Sequence, residues 1–277
     1  MRHHAGRCLG AGKQSPRAAT RRASAKGGQR MAATSAPEWP STLPPLESIR
    51  GVLFDIDGTL CDSEHLHYDV YREILLEKGY RGYRNGEPIS QEFFDEQIAG
   101  GHISVLGRKL WPDWPQEDRD AFCEEKEARF RKLASSSLKP VEGLADFLAW
   151  VDSRKLRKAA VTNALRANSV AMLNALGLGD TFEVVVLGED CARPKPHPDP
   201  YLKALEVLGL QPHEAIVIED SPSGAAAGVA AGLPVVGILT SQTAEHMKRA
   251  GAVRCVKDYR ELLALAQNAP SPAMQAA

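Results

Sequence analysis

The chain is short of cysteine, carries no acidic residue in its first 37 positions, and lacks any long stretch of strongly apolar residues. Its five cysteines (Cys8, Cys61, Cys123, Cys191 and Cys255) are odd in number, scattered and never spaced as a CxxC pair. That usage excludes a disulfide framework and a cysteine zinc site, and it fits a reducing compartment. Cys61 has no base beside it in sequence and reads as a packing thiol. Residues Ser221 to Ala244 are uncharged for 24 positions, but Ala and Gly dominate them and Pro222 and Pro234 interrupt them. A membrane-crossing helix needs about 20 strongly apolar residues, so this run reads as helix, turn and strand, with no membrane partner. The formal net charge of −1 hides an asymmetry: residues 1–37 hold eight Lys/Arg, leaving 26 basic against 35 acidic side chains elsewhere. An acidic body of this kind argues against nucleic acid as its ligand.

Hydrophobic residues at 43% and charged residues at 25% are ordinary for a globular chain, and 277 residues suffice for one or two domains. Residues 1–46 read as a disordered leader. Their Arg-, Ser- and Ala-rich composition is that of a transit peptide, so chloroplast or mitochondrion is the expected address. A tail that simply remains disordered, or a start at Met31, would instead leave the protein in the cytoplasm. Residues 268–277 read as a second disordered tail, and a monomer is the default expectation.

The body opens with the apolar run Gly51-Val52-Leu53-Phe54, followed at once by Asp55-Ile56-Asp57-Gly58-Thr59-Leu60. A strand points alternate side chains to the same side, so Asp55 and Asp57 share one side at the strand's end, where Gly58 lets the chain turn away. Two like charges this close call for a hard cation. From Pro140 onward apolar strands alternate with helices: strands at 159–161, 184–187, 215–218, 234–238 and 253–256, helices at 142–153, 166–177, 199–209, 222–232 and 258–267. Continuous apolar strands between helices describe a parallel sheet covered on both faces. Residues 62–141 show no such alternation. There, Val70, Tyr71, Ile74 and Leu75 mark one amphipathic helix and Phe122, Lys126, Arg129, Phe130 and Leu133 another. The expected division is therefore an α/β core at 47–61 and 142–267 with a helical domain inserted at 62–141.

Three further polar groups follow predicted strands: Thr162-Asn163, Lys195, and Glu219-Asp220. In a parallel sheet these ends lie on one edge with Asp55 and Asp57, where α/β folds bind ligands. Asp55 and Asp220, helped by Glu219, could hold Mg²⁺. One carboxylate of the Asp pair could attack phosphorus while the other handles a proton. A hydroxyl and an ammonium, from Thr162 and Lys195, would offset the remaining phosphoryl charge. Taken singly, each group also fits an ordinary role: Thr162 and the Glu219-Asp220-Ser221 stretch as helix caps, Lys195 as a solvated loop charge.

With these motifs in this order, the sequence resembles the haloacid dehalogenase-like hydrolase superfamily over about residues 48–267. Asp55-Ile56-Asp57-Gly58-Thr59 is similar to its first motif, Thr162 to its second, Lys195 to its third and Glu219-Asp220 to its fourth. The resemblance implies a Rossmann-like core with a helical cap of the β-phosphoglucomutase-like branch. It also implies Asp55 as a nucleophile forming an aspartyl-phosphate, Asp57 as general acid/base and as a backbone-carbonyl ligand, and Mg²⁺ as cofactor. More narrowly, Asp57 to Ser63, Ala160 to Ala164 and Lys195 to Glu206 are similar to plant sugar-phosphate phosphatases, implying a small phosphorylated sugar as substrate.

The same matching assigns substrate contacts to Thr162, Asn163 and Lys195 in the core. In the cap, His67 and Lys126 of the Lys-Glu-x-x-Phe segment match positions that contact substrate or couple closure to proton transfer, and His102 of Ala99-Gly100-Gly101-His102 matches the loop that reaches into the site to meet substrate. Two departures weigh against a mutase. Ile103 stands where the branch has an Arg that grips a second phosphate, and Thr59 follows the motif's glycine where the mutases have Val. A mutase must hold a bisphosphate at both ends. Phosphosugar hydrolysis is the reading these residues favour, with a β-phosphoglucomutase-type mutase as the alternative and a catalytically silent scaffold as the remote one.

Overall fold

The strand that carries the Asp pair lies in the middle of a six-stranded sheet. The computed structural model describes residues 48–268; the expected leader, and the expected tail apart from Asn268, lie outside them. Strand β1 (Gly51–Phe54) is followed by β2 (Cys61–Asp62) and then by four helices: α1 (Glu64–Glu77), α2 (Gln91–Gln97), α3 (Ile103–Leu110) and α4 (Gln116–Ser137). After β3 (Lys139–Pro140) and α5 (Leu144–Ser153), strand and helix alternate: β4 (Arg157–Thr162), α6 (Arg166–Ala175), β5 (Val184–Leu187), α7 (Asp199–Leu208), β6 (Ala215–Glu219), α8 (Pro222–Ala230), β7 (Val235–Ile238), α9 (Ala244–Arg249), β8 (Arg254–Val256) and α10 (Tyr259–Gln267).

The large sheet runs in the order β5-β4-β1-β6-β7-β8, and every pairing is parallel. Every residue of β1 is buried, as expected of a strand covered on both faces. One apolar cluster joins Val52, Phe54, Ile216, Ile218 and Val236 to Phe147 and Tyr259, and a second joins Leu53, Val161, Val217 and Val235 to Tyr201 and Leu205. Odd and even strand positions thus feed opposite faces. No helix among the described residues is long and apolar enough to cross a membrane. The uncharged run at 221–244 becomes α8, a turn and β7, as expected.

The four inserted helices have an apolar cluster of their own, built on Tyr71, Ile74, Leu75, Phe94, Leu106, Trp111 and Phe122. Two helices belong to both regions. Leu66 and Val70 of α1, with Phe130 and Ala134 of α4, join the sheet-side cluster, while Tyr71 and Phe122 join the inserted one. The outgoing and returning chains pair as a short antiparallel ladder, Cys61 with Pro140 and Asp62 with Lys139, which no sequence pattern announces. Helix α9 is likewise unannounced. It has six residues, too few for a periodicity, and it rests on the Thr243 N-cap and on the fully buried Met247.

Candidate active site

Asp55, Thr162, Glu219 and Asp220 stand at or just past the carboxyl ends of β1, β4 and β6. The Asp55 amide donates to the Ile218 carbonyl at 3.0 Å, so β1 stays tied to β6 up to the carboxylate itself. The chain then turns at Gly58, whose φ of +81° suits glycine. A β-carbon there would land on the Asp220 carboxylate, so the turn lies against the end of β6. Asp55, Glu219 and Asp220 are all buried, and one oxygen from each lies within 4.8 Å of the others.

Lys195 binds this cluster together. Its Nζ donates to Asp55 Oδ1 at 2.6 Å, to Glu219 Oε1 at 2.5 Å and to the Val161 carbonyl at 2.7 Å. Asn163 brackets the Lys195 backbone, its Oδ1 accepting from the Lys195 amide at 3.1 Å and its Nδ2 donating to the Lys195 carbonyl at 3.0 Å. Both ends of the amide expected to meet substrate are therefore spent on positioning the lysine. The Thr162 hydroxyl is buried and accepts from the Ala164 amide at 3.0 Å, which leaves its proton to be donated elsewhere.

Four further partners complete the site, two of them, Tyr201 and Ser241, given no role by the sequence. Tyr201 donates to Glu219 Oε1 at 2.7 Å, and Ser221 donates through its hydroxyl and its amide to Glu219 Oε2, at 3.0 and 3.3 Å. Both Glu219 oxygens are thus occupied. Asp220 accepts from Thr59 at 3.2 Å on Oδ1 and from Ser241 at 2.6 Å on Oδ2. Thr240 and Ser241 just follow β7, so a polar pair after a strand on this edge was the available signal.

Asp57 faces the inserted helices. Ser63 donates a short hydrogen bond to its Oδ1, and His67 Nε2 lies 3.1 Å from its Oδ2. Lys126 Nζ lies 2.9 Å from His67 Nδ1 and 3.0 Å from Glu127 Oε1. An ammonium only donates, so Nδ1 is the acceptor and Nε2–H faces Asp57. The His67 ring stacks on Phe130 at 3.9 Å. The structure thus brings His67 and Lys126 to the Asp pair. It does not bring His102, which is exposed and spends Nδ1 on Ser104 as the N-cap of α3. Ile103 beside it packs on the inserted apolar cluster.

Environment divides the carboxylates. Burial pushes Asp55 up to about 7 against the pull of Lys195, with the negative charges of Glu219 and Asp57 adding to the push. Burial, then the charges of Asp55 and Glu219, raise Asp220 well above the usual carboxylate range. Asp57 is held at about 2: burial works the other way, but His67, Ser63 and Lys126 outweigh it. For Lys195 burial opposes the charge, and Asp55 and Glu219 overcome it and raise its value. Burial also raises Cys61 well above its ordinary value, which keeps it a neutral thiol, as its sequence context suggested.

An all-oxygen carboxylate set with one lysine among three acids suits a hard divalent cation such as Mg²⁺. Binding of such a cation would carry a pH signature. Asp55 holds a proton in the folded state up to about pH 7 but releases it near 3.8 when unfolded. Folding stability is therefore full below about pH 4 and declines as pH rises toward 7, by up to about 4 kcal/mol from this group. Mg²⁺ bound there would displace that proton, so thermal melts should show a larger Mg²⁺-induced gain at about pH 8 than at about pH 6. Equal gains at both pH values would contradict the raised Asp55.

Residues 49–232 match the model of the haloacid dehalogenase-like hydrolases. Protein CbbY of Rhodobacter capsulatus is 32% identical over 193 residues, covering 68% of this chain and 84% of its own. The fructose-1-phosphate phosphatase YqaB of Escherichia coli strain K12 is 30% identical over 200 residues, covering 69% and 97%. Among solved structures, a putative beta-phosphoglucomutase from Thermotoga maritima superposes with a TM-score of 0.64 at 28% identity, covering 79% of this chain and all of the other.

Proposed function

This chain belongs to the haloacid dehalogenase-like hydrolases, and from that premise we propose that it is a Mg²⁺-dependent phosphatase of small sugar phosphates. The observation that carries the proposal is the opposite treatment of two carboxylates two residues apart: Asp55 sits on Lys195 beside Glu219 and Asp220, while Asp57 sits on His67. Divergent environments for neighbouring acids are the mark of divided roles.

In the first half-reaction an Asp55 oxygen bonds to phosphorus, the bond from phosphorus to the sugar oxygen breaks, and Asp57 gives that oxygen a proton. In the second, water attacks phosphorus, Asp57 takes its proton, and the Asp55–phosphorus bond breaks to release phosphate. The ionised Asp57 of this structure is in the form the second half needs. Thr162 donates to a phosphoryl oxygen; Lys195, its three protons taken by Asp55, Glu219 and the Val161 carbonyl, sets its positive charge beside the phosphoryl group, and Asn163 acts through its bracket on Lys195. Asp55, Asp220 and the Asp57 carbonyl would hold Mg²⁺. Glu219, with both oxygens occupied, would serve it by aligning Lys195. When bound, Mg²⁺ supplies positive charge to the phosphoryl group. Helices α1–α4 act as the cap that bears on the substrate's sugar.

The name of the E. coli relative supports a sugar phosphate as substrate. Ile103, packed into the cap's apolar cluster where a mutase needs a cationic grip, supports hydrolysis over transfer. The test is phosphate release from a panel of hexose, pentose and triose phosphates with and without Mg²⁺. Mg²⁺-dependent release from at least one sugar phosphate is expected. Isomerisation of glucose 1-phosphate that requires a bisphosphate activator and leaves little free phosphate would replace this reading with the mutase.

A further inference from the structure

Beyond the residues that touch the reaction, a second polar chain runs from Asp57 into the α/β core. Glu127 is a carboxylate with 5% of its surface exposed, and its Oε1 accepts from Lys126, the residue before it in α4. Successive residues on a helix point about 100° apart and do not face each other, so something must draw Glu127 to the Lys126 side. That partner is Asn168 of α6, whose Nδ2 donates to Glu127 Oε2 at 2.5 Å. Asn168 is itself 5% exposed, and its Oδ1 accepts from Arg131 Nη1 at 3.1 Å. A guanidinium only donates and a carboxylate only accepts, so this arrangement allows one orientation of the amide.

The link falls where α4 passes from one apolar cluster to the other, between Phe122 on the cap side and Phe130 on the sheet side. A buried ion pair is weak evidence for stability in itself, since burial costs both partners their hydration. Here it holds the Lys126 ammonium over the Tyr71 and Phe130 rings and 2.9 Å from His67 Nδ1. That contact keeps Nδ1 the acceptor and turns Nε2–H toward Asp57.

We propose that Asn168 is a positioning residue for proton transfer: through Glu127 and Lys126 it holds His67 in the tautomer and orientation that Asp57 requires. The proposal rests on Asp57 being the acid that protonates the leaving oxygen. Without Asn168, Glu127 is free to swing away, Lys126 loses its aim, and His67 can present either nitrogen to Asp57.

The test uses leaving-group dependence. A sugar alkoxide needs a proton to depart, whereas the phenol of p-nitrophenyl phosphate is acidic enough to leave without one. Asn168→Ala, and Asn168→Leu, which keeps the branching at Cγ, should lower kcat/KM for the best sugar phosphate about tenfold and leave it within about twofold for p-nitrophenyl phosphate. In parallel, long-range ¹H–¹⁵N spectra should show His67 as the Nε2–H tautomer in the wild type and as a mixture in both variants. A merely structural role would lower both substrates alike, and equal losses, or no loss, overturn the inference. Asp57→Asn, measured alongside, separates the two readings. If it shows the leaving-group selectivity and the Asn168 variants do not, only Asn168's role falls; if Asp57→Asn shows none, the assignment of the acid falls and this inference with it.

Discussion

Asp55→Asn is expected to lower phosphate release at least about 10⁴-fold, the scale of losing a catalytic nucleophile, while the metal-free protein becomes no less stable. The two effects have one cause. Asp55 is buried beside Glu219 and Asp220, and its value of about 7 records how poorly that site tolerates another negative charge. Asn keeps the shape and removes the charge. Lys195 keeps Glu219 and the Val161 carbonyl as acceptors, so the lysine is not stranded. Melts in EDTA should therefore give a midpoint equal to or above that of the wild type, with most of the Mg²⁺-induced gain abolished. An acid-quenched reaction with ³²P-labelled sugar phosphate should leave hydroxylamine-labile label on the wild type and none on the variant. Activity within about tenfold of wild type would remove Asp55 from the chemistry.

Lys195→Met is expected to move activity and stability in the same direction. The ammonium is the cation shared by Asp55 and Glu219, and both carboxylates are buried. Removing one member of a buried ion pair strands the others, at a cost of about 3–5 kcal/mol, a large share of a typical domain's stability. Loss of its positive charge beside the developing phosphoryl charge should cost a further 10²–10³-fold in kcat, roughly. Two conditions should restore stability in part: Mg²⁺, which would replace the missing positive charge, and mild acid, which protonates the stranded Asp55. Melts from about pH 5 to about pH 8 with and without Mg²⁺ would show the gap from wild type narrowing in both cases. A gap that stays constant under both would mean that Lys195 acts through packing instead. Arg is no substitute, because a planar fork does not fit where a point charge meets three converging acceptors.

The order of the core elements was legible because each signal is local. Gly51 to Phe54 is apolar throughout and ends in two acids and a glycine, and the five later strands are short apolar runs between helices. The two-residue ladder of Cys61 and Asp62 with Lys139 and Pro140 has no local signal, because its partners lie far apart in sequence. Lys126 and Glu127 show the same limit in chemical form. Two adjacent charged residues on a helix look like a solvated face, yet both are buried, since His67 and Asn168 meet them from other elements.

By itself, the sequence determined which groups the core's strand ends present for the proposed chemistry. Asp55 and Asp57 directly follow an apolar strand, and strand ends in a parallel sheet must share an edge, where Asp55 meets Glu219 and Asp220 and Lys195 joins them. Tertiary structure alone decided how each group is held: Asn163 turned to the Lys195 backbone, Glu219 filled by Tyr201 and Ser221, Asp220 gripped by Ser241 from the loop after β7, and Asp57 joined through His67 to Asn168. The reason is physical. Periodicity and turn propensity act over a few residues and are written in the chain, whereas burial and the partners of a buried charge are set by elements that meet only when it folds.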